Sequence, residues 1–181
     1  MRPSRRRWSW HRKLRWTDTE RIIASQPMTS ARCIGSGSAR SIRGAGEYRS
    51  VNIGKAGFQF AHAPLIAGLM AELDRGALRR HTPCREANDA DVARALAEVH
   101  AELILVHPFR EGNGRLARLL ALLMALQAGL PPLDFSPLSG RGRHAYIAGI
   151  HAAMDRDYTT LAAMFARVIE RSRRRDASNA R

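Results

Sequence analysis

Cysteine is nearly missing from this 181-residue chain: Cys33 and Cys84 are its two, with no CxxC pair and no metal-ligand spacing around them. That argues against a disulfide scaffold and fits a reducing compartment. Long apolar runs are missing too. The longest, residues 119–126, is too short to span a bilayer and directly follows Arg118. An export signal is also lacking. Ser4-Arg5-Arg6-Arg7-Trp8 has the basic start of a twin-arginine leader, but His11-Arg12-Lys13-Leu14-Arg15 stands where its apolar core would be. A soluble, cytoplasmic protein with no membrane partner is the expectation.

Acidic residues are scarce at both ends. Residues 1–46 hold 11 Lys/Arg against Asp18 and Glu20, and residues 167–181 hold 6 Arg against Glu170 and Asp176. Between them 13 basic and 12 acidic residues nearly cancel, so the formal net charge of +14 belongs almost wholly to the ends. Basic ends adsorb to RNA, DNA or acidic lipid without a dedicated site. A non-catalytic nucleic-acid-binding protein using those ends is the alternative from another class. A dedicated nucleic-acid partner is not expected.

What is present suits one domain with a real core, since 45% of the residues are apolar. Residues 1–45 show no sustained period and include Gly35-Ser36-Gly37-Ser38, which predicts a disordered or atypical N-terminal segment. Order is expected from Gly46. Residues 48–53 and 58–60 alternate around Gly54-Lys55-Ala56-Gly57, a hairpin signal with glycines at the turn. From Pro64 onward Leu65, Ile66, Leu69, Met70 and Leu73 share a helical face, and residues 79–85 read as a loop. Asn88 is placed to cap the next helix, whose stripe of Val92, Leu96, Val99, Leu103 and Val106 ends before Pro108. Another helix is predicted from Asn113 to about Gln127, closed by Gly129 and Pro131. Past Arg118 it is apolar on all sides, so it is expected at the buried centre of a helical bundle. Helices around 143–154 and 158–173 complete a mainly α fold with one surface hairpin and no internal repeats.

One run is unlike the rest: His107-Pro108-Phe109-Arg110-Glu111-Gly112-Asn113-Gly114-Arg115-Leu116-Ala117-Arg118. Gly112 and Gly114 bracket Asn113 at a helix start, so backbone N–H groups can face an anion unobstructed. The helix dipole adds positive potential at that point. Arg115 and Arg118 are three apart and share a face, which sets two guanidinium groups beside one anion. Glu111 puts a carboxylate at the rim, where it can hold Mg²⁺ bridging phosphates. His107 titrates near neutrality in its unperturbed form and suits a general base. Together these parts make a triphosphate cradle with a base at its edge. His100, one heptad earlier, has no acid or Cys to complete a metal set and reads as structural.

The run resembles the motif of the Fic (Fido) family, His-x-Phe-x-Asp/Glu-Gly-Asn-Gly-Arg-x-x-Arg, at all eight defining positions. Residues 46–170 are similar to the family more loosely, and the hairpin after Gly46-Glu47-Tyr48-Arg49 is similar to its active-site flap. The resemblance implies a Fic-type helical bundle with a small β-hairpin flap. The catalytic domain would cover 46–170, between the N-terminal segment 1–45 and a basic tail, 171–181. It further implies an ATP-dependent nucleotidyltransferase that moves AMP onto a Ser, Thr or Tyr hydroxyl of a target protein. His107 would be the catalytic base, Phe109 a buried anchor and Glu111 the Mg²⁺ ligand. Gly112, Asn113 and Gly114 would form the anion hole, and Arg115 and Arg118 would grip the outer phosphates. The flap, residues 48–60, would hold a target segment by strand addition.

Two departures stand out. Many Fic proteins carry an inhibitory helix with Ser/Thr-x-x-x-Glu-Gly/Asn, whose Glu pairs with the last Arg of the motif. Here the one Ser/Thr with Glu four residues on is Thr82…Glu86, which Pro83 interrupts and Ala87 follows, so it is rejected. Either a small antitoxin supplies that Glu, as in a toxin–antitoxin pair, or the inhibitory segment is missing. Upstream of Gly46, Arg/Ser/Gly-rich sequence replaces the helices and aromatic-rich approach that the family usually has. The rival among enzymes is phosphoryl transfer, as in the related Doc kinases, which typically carry Lys where Gly114 stands. Gly114 favours AMP transfer. Transfer of UMP or another nucleotide, or removal of AMP, stays open, because base choice is made outside the motif.

Overall fold

The computed structural model describes residues 46–180. The expectations for residues 1–45, Cys33 among them, lie outside the described residues. The elements in chain order are β1 (Gly54–Lys55), β2 (Phe58–Gln59), α1 (Ile66–Leu73), α2 (Asp89–Val106), α3 (Asn113–Gln127), α4 (Arg143–Ala152) and α5 (Thr159–Asn179). The fold is mainly α with one small antiparallel hairpin, as the sequence predicts.

α2 organises the bundle. Asn88 is extended, and its Oδ1 accepts the N–H of Asp91 at 3.0 Å, while Asp89 and Asp91 sit in the electropositive first turn. All five residues of the predicted stripe are buried, and α2 packs against α1, α3, α4 and α5. The centre of the bundle is therefore α2 and not α3, which corrects the sequence expectation. α3 turns Ala117, Ala121 and Ala125 inward, four apart, so that it lies close on α2. Its outward face is apolar as well, with Leu119 42% and Leu126 46% exposed. Apolarity on all sides thus did not mean burial on all sides. The helix does stop as expected: Gly129 is left-handed (φ 75°), Leu130 N–H donates to Ala125 O and Gly129 N–H to Leu126 O, at 3.0 and 3.1 Å.

Three other boundaries moved. The hairpin is shorter than the alternation suggests, pairing only Gly54 with Gln59 and Lys55 with Phe58 around Ala56 and Gly57, both at positive φ. α1 continues where a loop was expected, through a wider π-type turn (Asp74–Leu78) into a last α turn (Arg79–His81), while Leu65 is 59% exposed and off the buried face. α5 runs on to Asn179, so the basic run 171–175 is helical. Arg173 grips Asp89 at 2.7 and 2.8 Å, and Arg171 donates to Asp134 at 2.8 Å. The Arg171 bond first, and then those from Ser136, hold the Asp134 carboxyl down at about 2.

α4 packs closely through two glycines, Gly142 against Pro137 and Gly149 against Leu161 of α5. At Gly142 an added Cβ would stand 1.9 Å from the Pro137 carbonyl oxygen. Gly142→Ala is therefore expected to destabilise the fold by roughly 1–3 kcal/mol, the scale of overpacking. Gly68, on the exposed side of α1, has nothing within 4 Å of that position. Gly68→Ala should be neutral or stabilising by about 0.5–1 kcal/mol. Urea unfolding of both variants checks the pair.

Candidate active site

α2 ends at His107, which is left-handed (φ 49°, ψ 58°) just ahead of Pro108. Leaving right-handed helical geometry before a proline was expected; the left-handed turn costs an L-residue roughly 1–2 kcal/mol. Arg49 Nε supports it by donating to His107 O at 2.8 Å. The imidazole Nδ1 lies 3.0 Å from Ile104 O. A carbonyl only accepts, so Nδ1 carries the proton and Nε2 keeps its lone pair. Phe60 of the flap stacks on the ring at 3.7 Å between centroids and 18° between planes. Burial lowers the proton affinity of His107, the Ile104 carbonyl raises it, and the charges of Arg49 and Lys55 lower it further. The net effect favours the neutral ring.

The loop after His107 is clamped from inside. Phe109 is buried, as expected for an anchor, and its ring lies 5.7 Å from that of Tyr48. Asn113 is also buried, and its side chain bonds the backbone of Phe109 twice: Oδ1 accepts the N–H at 2.9 Å, and Nδ2 donates to the carbonyl at 2.7 Å. Any part Asn113 takes in an anion hole must then come from its backbone N–H. Gly112 is left-handed (φ 85°) and caps α3 with no side chain. The first intrahelical bond is Leu116 N–H to Gly112 O at 2.9 Å, which leaves the N–H groups of Asn113, Gly114 and Arg115 ahead of it. Glu111, Arg115 and Arg118 are exposed and enter no ion pair or hydrogen bond among the described residues. A Cβ built on Gly114 would meet only Arg118, at 3.9 Å.

Arg49 is the residue sequence reasoning did not single out. It is 2% exposed, and its guanidinium donates to four main-chain carbonyls: His107, Val51, Ala61 and Val106. Its own N–H donates to Pro108 O at 2.9 Å. The Gly46-Glu47-Tyr48-Arg49 run marked the segment, but backbone carbonyls 57 and 58 residues away leave no sequence signal. The flap is also held by rings, since Phe58 stacks on His151 of α4 at 4.8 Å and meets Phe60 edge-on at 5.3 Å.

His100 is fully buried, with Nε2 2.9 Å from Tyr146 Oη and Nδ1 without a hydrogen-bond partner among the described residues. It packs in the core beside Tyr146 and Phe165. Burial pushes its pKa down to about 4, and the Arg118 charge works in the same direction. Between about 6.5 and 4 the unfolded chain takes up a proton that the folded chain refuses. The stability is thus complete above pH 6.5 and is lost as pH falls toward 4, by about 3 kcal/mol. The prediction is that His100→Gln flattens the acid slope of unfolding free energy measured in urea from pH 7 to 4. An unchanged slope would assign it to other groups.

Among the described residues no three His, Cys, Asp or Glu side chains gather to hold a metal. A lone exposed carboxylate such as Glu111 still suits Mg²⁺, which takes one or two carboxylates and leaves its other positions to phosphate and water.

The model of the Fic/DOC family matches residues 18–125. The chain is similar to the protein adenylyltransferase fic-1 of Caenorhabditis elegans, 43% identical over 63 residues, covering 35% of this chain and 12% of that protein. It is similar to the protein adenylyltransferase Fic of Nematostella vectensis as well, 36% identical over 73 residues, 40% of this chain and 16% of the relative. The chain thus spans a small part of the curated relatives it matches. Solved structures share its fold, two of them as follows. Fic-1 (residues 134–508) of C. elegans superposes with a TM-score of 0.68 at 22% identity, over 86% of this chain and 44% of that one. The BepC protein of Bartonella tribocorum, solved with bound AMPPNP, superposes with a TM-score of 0.65 at 20% identity, over 79% and 73%.

Proposed function

The chain belongs to the Fic/DOC family, and from that membership and the geometry of its site we propose that it is a protein adenylyltransferase. It moves AMP from ATP onto a Ser, Thr or Tyr hydroxyl of a target protein. One observation carries the reading: a neutral imidazole with its Nε2 lone pair free stands one tight loop away from unbonded N–H groups at a helix N-terminus. The loop between them is held by a buried clamp, Asn113 on Phe109.

The steps follow from the chemistry of these groups. Nε2 of His107 takes the proton of the acceptor hydroxyl, and the freed oxygen attacks the α-phosphorus of ATP. The new P–O bond forms as the bond to the bridging oxygen of the β-phosphate breaks, and pyrophosphate leaves. Negative charge gathers on the α-phosphate oxygens, toward the N–H groups of Asn113 and Gly114 and the positive end of α3. Arg115 and Arg118 hold the outer phosphates with charge-assisted bonds. Glu111 would hold Mg²⁺, which when bound neutralises phosphate charge. The exposed edge of the flap lends its backbone to a target segment.

The test uses ATP labelled at the α or at the γ position, with the purified chain and a lysate of potential targets. Label entering protein from the α position alone is expected. Label from the γ position alone would point to phosphoryl transfer instead.

Restraint by a partner belongs to the same proposal. Glu86 faces His81, with Oε1 3.4 Å from Nδ1, and Glu170 pairs with Arg174 at 2.5 Å, so neither is engaged with Arg118. A separate small antitoxin carrying the inhibitory Glu would fill that role. Glu86→Gly and Glu170→Gly should each leave transfer within about twofold of wild type, because neither touches the outer-phosphate grip. A large gain in either would reveal inhibition within the chain.

A further inference from the structure

We infer that Arg49 is the positioning residue of the site: its guanidinium locks the flap onto the C-terminal end of α2 and holds His107 in the turn that presents its ring. The inference rests on His107 acting as the base of the proposed transfer.

A buried cation is costly unless its hydrogen bonds are met. Arg49 is 2% exposed, and among the described residues all its side-chain bonds go to main-chain carbonyls, none to a carboxylate. What offsets the burial is the end of α2. Val106 O (3.3 Å) and His107 O (2.8 Å) belong to the last carbonyls of that helix, which have no intrahelical donor and carry the negative end of its dipole. The remaining donors reach Val51 O (2.7 Å), in the first limb of the flap, and Ala61 O (2.5 Å), at the exit of its second. One planar group thus joins three stretches of chain, and the Arg49 N–H to Pro108 O adds the start of the phosphate loop.

A cap alone would need only the helix carbonyls. Here the bond to His107 O falls on the residue whose φ is 49°, and the same side chain fixes the limb that carries Phe60 onto the His107 ring. Backbone and ring of the base are therefore both set through Arg49. The charges acting on the ring are Arg49 and Lys55, both from the flap segment, with the Ile104 carbonyl of α2 opposing them. Lysine at position 49 would keep the charge but not the planar fork that reaches several carbonyls at once.

The experiment compares Arg49→Lys and Arg49→Gln in the full chain by two readouts. The first is the ¹⁵N NMR signature of the His107 ring across pH, which needs no transfer reaction. Wild type should show a neutral ring protonated at Nδ1. Arg49→Gln should show a mixture of tautomers and a higher ring pKa, because a nearby cation is gone. The second readout is transfer kinetics. Arg49→Gln should lose about tenfold or more in kcat with the KM for ATP within about twofold, and its low-pH limb should move up. Arg49→Lys should keep the limb of wild type and recover part of kcat. Unchanged tautomer and pH limb in both variants would overturn the inference, as would failure of both to fold, which would leave Arg49 a structural cap. Absence of α-label transfer by wild type would sink the proposed reaction, while the NMR signature would still decide the role of Arg49.

Discussion

His107→Ala is expected to lower AMP transfer by roughly 10²-fold or more while leaving ATP binding nearly intact, since general-base catalysis contributes about 10²–10⁴-fold. The separation of the two effects follows from the layout. The imidazole sits at the C-terminal cap of α2, whereas the groups proposed to hold the phosphates lie around the start and first two turns of α3. Alanine removes the ring, its bond to Ile104 O and its stack on Phe60, but keeps the backbone bond from Arg49. Fold should survive on those terms. Initial rates with α-labelled ATP, beside calorimetry with a non-hydrolysable analogue, measure both halves. Wild-type rates in the variant would remove the base from the mechanism.

Arg118→Ala is expected to weaken binding of the same analogue by about 10- to 100-fold, the value of losing charge-assisted hydrogen bonds worth roughly 1.5–3 kcal/mol. Arg118 is exposed and enters no ion pair among the described residues, so little folding stability is expected to go with it. That makes a loss of affinity interpretable as lost ligand contact. Melting temperature provides the control and should hardly move. If affinity and transfer both survive, the outer phosphates are held elsewhere and the role carried over to Arg118 is wrong.

How much of this was legible in the sequence depended on where each signal lives. α2 could be read in full because its signals are local: a capping Asn88, acidic residues in the first turn, a five-member apolar stripe and Pro108 beyond the end. The bounds of α3 were equally plain from Gly112 and Gly129. Its depth was not, because Leu119 and Leu126 are as apolar as the inward residues, and composition says nothing of which face meets a neighbour. The motif brought together His107, Glu111, Asn113, Arg115 and Arg118, yet it could not say that the Asn113 amide turns inward to Phe109. Arg49 was invisible for a deeper reason. A lone arginine in a short alternating run looks like a surface residue, and its partners are carbonyls in the first limb of the flap, at the exit of its second and at the distant end of α2. The alternation over 48–53 predicted a longer strand because it ignored that competition. The hydrogen bond of Arg49 N–H goes to Pro108, away from the hairpin.

The measurement that bears most directly on the whole account is the intact mass of an acceptor protein after incubation with the chain, ATP and Mg²⁺, followed by mapping of the modified residue. The mass of one adenylyl group on a Ser, Thr or Tyr, present with wild type and missing with His107→Ala, is the predicted result. A phosphoryl mass in its place, or an adenylyl mass that persists without His107, would contradict it.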